Sequence, residues 1–200
     1  MTPVRGGALA LLLGSALAAC AQPPPPQDPA RPGAAAATLR EAATPRFIGV
    51  VGTRTQHSPP FLGVPETNFY CLRSFIDRQT GETQHQLYVS DSYSGAERRW
   101  QAARDDAGRP LRFIEIGRNE ITCDGGCSYL EEFAASIPES ELRASPQGLT
   151  VVFLAGSGAE KRISVSGTQI SAQLAAVNDG RNSARPAAAP TAPQSSSSHQ

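Results

Sequence analysis

This 200-residue chain has no excess of either charge: 18 basic side chains balance 18 carboxylates. Lysine is nearly missing, Lys161 being the only one. Without a basic stripe there is no electrostatic footprint for nucleic acid, which is not an expected partner. A membrane-spanning helix needs roughly 20 apolar residues, and the uncharged run from Ala8 to Leu17 is too short for that. The chain has no G-x-S-x-G elbow, no Walker-type loop and no dinucleotide fingerprint, so those hydrolase and nucleotide-binding signatures are missing. The redox motif C-x-x-C is also absent, and neither a βαβ alternation nor an internal repeat is visible. No cofactor is implied.

The amino terminus does carry a signal. A single basic side chain, Arg5, precedes a short apolar core, and small residues lead to Leu17-Ala18-Ala19-Cys20. Basic start, apolar core and small residues before a cleavage point make a secretory signal. The last four residues resemble the lipobox of bacterial lipoproteins. That resemblance covers the signal alone. It implies cleavage before Cys20, lipid on its thiol and its new amino group, and the membrane as a partner. Several acyl chains hold stably where one holds only marginally, at about 0.8 kcal/mol per buried CH₂. Ala21 stands where such proteins carry Asp when kept in the inner membrane, so the resemblance implies the outer membrane, facing the periplasm.

Ala21 to Thr44 is rich in proline and alanine, with Pro23 to Pro26 consecutive. In polyproline II, at about 3.1 Å per residue, this linker spaces a domain up to roughly 70 Å from its lipid. The proline run also resembles SH3 ligands, but a tether suits an exported protein better. Arg181 to Gln200, with few large apolar residues, reads as a disordered tail in which His199 is inert. Between them, residues 45–180 are the size of one domain and carry 12 Arg and one Lys against 16 carboxylates, a net charge near −3.

Within that domain, Phe47 to Val51 is a short strand, and the prolines and glycine of Ser58 to Pro65 mark a loop. Phe69 to Asp77 places Phe69, Cys71 and Phe75 on one face and Tyr70, Leu72 and Ile76 on the other, the pattern of a central strand. Three hairpins are expected. Their turns fall at Arg78 to Glu82, with return over Thr83 to Ser90, at Gly125-Gly126 between Leu111–Cys123 and Ser128–Ile137, and at Gly156-Ser157-Gly158 between Leu149–Ala155 and Glu160–Ser166. Tyr129, Phe133, Ala135 and Ile137 share a face that Glu131 interrupts. Ala96 to Ala107 is ambiguous between helix and strand. Ser136 and Glu139 are spaced as a capping box for a short helix after Pro138. Ile170, Leu174 and Val177 define a helix over Thr168 to Asn178, with Gly180 placed to end it. The expected class is α+β, a mainly antiparallel sheet built from hairpins with a C-terminal helix packed on one face.

With Cys20 lipidated, three thiols remain: Cys71, Cys123 and Cys127. In an oxidising compartment disulfides are expected. Cys123-Asp124-Gly125-Gly126-Cys127 is spaced for a staple across a hairpin tip, contributing about 2 kcal/mol by loop entropy. Cys71 is then the left-over thiol, a small buried hydrophobe, or an alternative partner of either. The functional counterpart is a zinc site of the three thiols with His85 or His57, for which C-x₃-C lacks a second pair. His85, on a strand face with Leu87 and Val89, reads as a satisfied histidine. The adjacent pairs Glu131-Glu132 and Asp105-Asp106 point to opposite faces of any strand, which argues against a carboxylate dyad. Arg98-Arg99-Trp100 is either a recognition patch or a shielded aromatic. The residues thus point to a tethered, non-enzymatic module that binds an envelope protein or supports envelope assembly. The alternatives are a thiol- or metal-dependent envelope enzyme using Cys71 and His85, and a small-molecule or lipid binder with a pocket of Phe69, Phe75 and Tyr88 in a sheet–helix crevice.

Overall fold

A computed structural model describes residues 44–184. The signal segment, Cys20 and most of the proline-rich linker lie outside the described residues, as does the chain beyond Ala184. Ten strands and two helices follow one another: β1 (Phe47–Val51), β2 (Thr55–Gln56), β3 (Phe69–Asp77), β4 (Thr83–Ser94), β5 (Trp100–Asp105), β6 (Pro110–Leu111), β7 (Phe113–Thr122), β8 (Ser128–Ile137), α1 (Glu139–Ala144), β9 (Gly148–Ala155), β10 (Glu160–Ser166) and α2 (Gly167–Ala184). The α+β class with a C-terminal helix on the sheet is as the sequence indicates.

The strands form two sheets where one was expected. The first runs β1-β3-β4-β8-β7, with β2 beside β3; the second runs β10-β9-β5-β6. Every pairing is antiparallel. All three expected hairpins form, as β3–β4, β7–β8 and β9–β10. The β4 strand is longer than expected, continuing to Ser94, and the ambiguous segment supplies strand β5. Strands β6 and β7 are separated only by Arg112, whose carbonyl accepts from Ser136 N. The chain therefore changes sheets at a corner, which closes the sandwich.

Alternation decides what fills the space between the sheets. Leu72, Leu87, Val89, Phe133 and Ala135 project inward from the first sheet to meet Trp100, Ala103, Val151, Phe153 and Ile163 of the second. Phe133 lies 4.9 Å from Phe153 and 5.3 Å from Trp100, centroid to centroid. Beside the second sheet, α2 covers the rest of this inner face, packing Val177 on Ile48, Val50 and Ile76.

Two expectations about the helices fail. No capping box forms at α1: Pro138 occupies the cap with no side-chain bond, which leaves Ser136 in β8 two residues before the cap and makes Glu139 the first helical residue rather than the third. The Glu139 carboxylate binds Arg143 and Arg181. Nor does Gly180 end α2, which continues to Ala184. Gly180 lies on the buried face with Ile170, Gln173 and Val177, and a Cβ there would stand 2.7 Å from Ile76 Cδ1. The glycine permits close approach of helix to strand rather than a turn. An alanine in a helix gains up to about 1 kcal/mol over glycine, whereas overpacking costs about 1–3 kcal/mol. Gly180→Ala is therefore expected to destabilise the native chain in urea unfolding. In an Ile76→Val background, where Cδ1 is gone, the same substitution should become neutral or stabilising.

Candidate functional site

The inner face of the first sheet is apolar in the middle and polar at both ends. Along β4 the inward residues are His85, Leu87, Val89, Asp91 and Tyr93, and along β8 they are Ile137, Ala135, Phe133, Glu131 and Tyr129. Asp91 stands directly opposite Glu131, and both are buried. Like charges in that position repel, so each carboxylate is surrounded by donors. Asp91 accepts from Lys161 Nζ at 3.0 Å, Arg98 Nη1 at 2.8 Å and the Trp100 indole at 2.9 Å. Glu131 accepts from the Tyr93 hydroxyl and from the backbone N–H groups of Arg99 and Trp100, each at 3.0 Å. Arg98-Arg99-Trp100 is thus an internal brace between the sheets. Lys161 also donates to His57 Nδ1 at 3.2 Å, while His57 Nε2 donates to the Ser90 carbonyl at 2.9 Å. Burial, and then the Lys161 charge, hold His57 below its ordinary pKa.

At the other end Ser74, His85 and Glu139 form a chain of hydrogen bonds. Gln173 Nε2 donates to Ser74 Oγ at 2.9 Å, and Ser74 Oγ lies 2.8 Å from His85 Nδ1. His85 Nε2 reaches Glu139 at 3.3 Å. Residue types and order match a nucleophile–base–orienter relay. Yet Ser74 is 0% exposed and His85 2%, so no substrate carbonyl can come within the about 3–3.5 Å that attack requires. In this conformation the relay is a latch tying both helices to the sheet. Burial lowers the His85 pKa against the pull of Glu139, and the hydrogen bond from Arg181 holds Glu139 well below the carboxylate range.

The outer face of the same sheet is partly exposed: Arg73, Phe75, Tyr88 and Glu132 are half-buried, while Phe69, Cys71 and Ala134 are buried. Its residues include Phe69, Cys71, Arg73 and Phe75 of β3, Tyr88 of β4 and Glu132 of β8. A trough of about 190 Å³ runs across it, lined from Val51 of β1 to Ile116 of β7. Lining drawn from both edge strands means that the sheet curls around the trough. Cys71, 3% exposed, forms the floor. The Arg54 guanidinium stacks over Phe69 at 4.8 Å, and that of Arg73 over Tyr88 at 4.6 Å and Phe75 at 5.5 Å. On the opposing wall Glu132 accepts from the Tyr88 hydroxyl. Arg54 is held by Glu66, across an exposed pair at 2.9 Å, and Glu66 has a φ of 60°. Leu62 and Asn68 in the same loop also have positive φ, 51° and 57°. Asn68 braces that loop, accepting from Ser92 N at 2.6 Å and donating to the Pro59 carbonyl at 2.9 Å.

A larger groove of about 550 Å³ lies between the β5–β6 turn and α1. Its carboxylates are matched by their own arginines: Asp105 by Arg109, Asp106 by Arg162 and Glu141 by Arg109. The lining of the trough differs in holding two guanidiniums against one carboxylate, Glu132, although Arg54 is paired with Glu66 outside the lining and Arg73 donates to Gln86 at 2.9 Å.

Cys123 and Cys127 stand at disulfide distance, 2.09 Å between sulfurs, at the exposed β7–β8 tip. Cys71 takes no part in that pair and lies on the outer face, whereas His85 is on the inner one. The thiol, histidine and tip groups proposed for an enzyme or zinc site are therefore not brought together, and no group of three metal-ligating residues occurs among the described residues. Glu131 and Glu132 do take opposite faces. Phe69 and Tyr88 line a cavity, with Phe75 beside it under Arg73, but on the face opposite α2 rather than in a sheet–helix crevice. Sequence reasoning missed Arg54 and Arg73. Arg73 continues the Phe69, Cys71, Phe75 alternation and was legible, while nothing local marks Arg54. Comparison with family models, curated proteins and solved structures finds no match.

Glu131→Ala would strip the acceptor from two backbone N–H groups and a buried hydroxyl, and should cost about 3–5 kcal/mol in urea unfolding. Glu132→Ala, one residue away on the wet face, should cost less. The histidines make stability pH-dependent. Both have lowered folded pKa values, so the unfolded chain binds more protons below the ordinary value of 6.5. Stability should be constant above that pH, fall as pH drops through it, and fall again below the ordinary carboxylate value of 4.5 as Glu139 is protonated. A rise in unfolding free energy on going from pH 7 to 5 would contradict this assignment.

Proposed function

We propose that this chain is a lipid-anchored module of the bacterial cell envelope, held through Cys20 and non-enzymatic, binding an envelope partner with the outer face of its first sheet. One structural observation carries the binding half. The exposed large hydrophobic residues among those described are Leu62, Val64, Ile116 and Ile121. All four belong to segments at the Phe69 end of the first sheet: Leu62 and Val64 in the loop between Gln56 and its partner Phe69, Ile116 on the trough wall, and Ile121 close before the Cys123–Cys127 tip. The chain enters the sheet at the other end, where Phe47 pairs with Asp77. Eight residues of strand separate the two levels, about 27 Å. Exposed apolar side chains at the end of the sheet that bears an arginine–aromatic cleft have the composition of interaction hot spots. Their position at the end away from the linker suits a domain held by that linker and reaching outward.

The anchoring half rests on Leu17-Ala18-Ala19-Cys20 and the signal before it. No helix among the described residues is long and apolar enough to cross a membrane. Intact-mass measurement of the full chain extracted from its own membranes should show cleavage before Cys20 and added acyl mass. Cys20→Ala should move the protein from the membrane pellet to the soluble fraction. An unmodified wild-type mass would refute the anchor.

A further inference from the structure

We propose that the trough receives one apolar side chain with a carboxylate beside it, presented by a peptide partner. This rests on the outer face being the binding surface. Three features of the trough select that ligand. The first is size: about 190 Å³ is below the roughly 300 Å³ at which clefts enclose a whole drug-sized ligand. A single side chain is what fits, and a single side chain implies a larger molecule carrying it. The second is the wall: Phe69, Tyr88 and Ile116 are apolar, and aromatic walls favour a ring or branched aliphatic group.

The third is the placement of charge. Arg54 and Arg73 stand on the β3 side, while Glu132 stands on the β8 side. The lining carries two positive side chains, Arg54 and Arg73, against the one negative charge of Glu132, whose Oε1 accepts from the Tyr88 hydroxyl. An anion meets a guanidinium whose present partner, Glu66, is 74% exposed in its side chain and easily exchanged, since such surface pairs are weak. A carboxylate is the group whose planar geometry the guanidinium fork matches. Glu132 repels a second carboxylate at the far end. The ligand is thereby oriented, with its acid toward Arg54 and its apolar group toward Ile116.

Such a group has two peptide sources, a carboxyl-terminal apolar residue and an internal one next to Asp or Glu. Three probes separate them on the full chain in detergent micelles, followed by amide NMR shifts: N-acetylphenylalanine, N-acetylphenylalaninamide and N-acetyl-aspartyl-phenylalaninamide. The acid should shift the amides of Phe69, Tyr88 and Ile116, and the neutral amide should bind about tenfold more weakly. Arg54→Gln, a change at an exposed side chain, should leave the spectrum folded and abolish that difference. If the aspartyl probe matches the free acid, the source is an internal acidic segment; if it matches the neutral amide, the source is a chain end. Equal binding of acid and neutral amide, or shifts confined to other faces, would overturn the proposal. A photo-crosslinker at Ile116 on the membrane-held chain distinguishes the two levels. Crosslinks to a protein without probe binding leave the binding face standing and refute this ligand. Probe binding without any crosslink upholds the acid chemistry but refutes a peptide as its source.

Discussion

Asp91 and Glu131 face each other across β4 and β8 on the buried side of the first sheet, and most of the architecture answers to that fact. Two adjacent carboxylates away from water are stable only if donors meet their charge. The donors come from three directions: Lys161 from β10, Arg98 and the Trp100 indole from the β4–β5 connection, and backbone N–H groups where that connection enters β5. Apart from the Tyr93 hydroxyl of β4 and the Arg118 guanidinium of β7, 3.6 Å from Glu131, each partner belongs to the second sheet or to the chain leading into it. The pair therefore sets where the second sheet docks, and its directional bonds fix a register that hydrophobic contact alone would leave loose. The lone lysine of the sequence stands at this point.

The opposite end is fixed by a different polar set. His85, Ser74, Gln173 and Glu139 join β3, β4, α1 and α2, and Arg181 closes the set from α2 at 2.5 Å. Between the two networks lies the dry core of Phe133, Phe153 and Trp100. Both networks face inward, and the outer face of the curled sheet is partly exposed. Its arginines stack on aromatics instead of sealing a core, which leaves a cleft with charge on its rim. The inner face is committed to holding the fold, and the outer face is available for recognition.

Much of this was legible from local pattern. The hairpin turns, the two faces of β3 and the α+β class follow from alternation and glycine position, which are short-range effects. The staple at Cys123 and Cys127 followed from spacing. Glu131 looked like an interruption of an apolar face because its partners are far away in sequence: Tyr93 lies 38 residues before it and Trp100 31. Gln173 was passed over for the same reason, although it is 1% exposed on the buried face of α2; its partners Val50 and Ser74 are 123 and 99 residues distant. Glycine commonly ends helices, so the local pattern makes Gly180 a terminator, and only the approach of Ile76 shows why it stands within one. Ser136 and Glu139 have capping-box spacing, but the strand β8 runs through Ser136 and the helix starts at Glu139, so neither stands at the position the box needs.

The sequence by itself determined the strands, their turns and their two-faced character, because these depend on residues within a few positions of one another. It also supplied the lipobox-like segment on which the proposed anchor rests. Tertiary structure alone decided that the strands would form two sheets, that the buried charges would find one another, and that Arg54 would meet Phe69. Those outcomes depend on burial and on donors brought from distant segments, and the energy of a buried charge is set by its surroundings rather than by its neighbours in the chain.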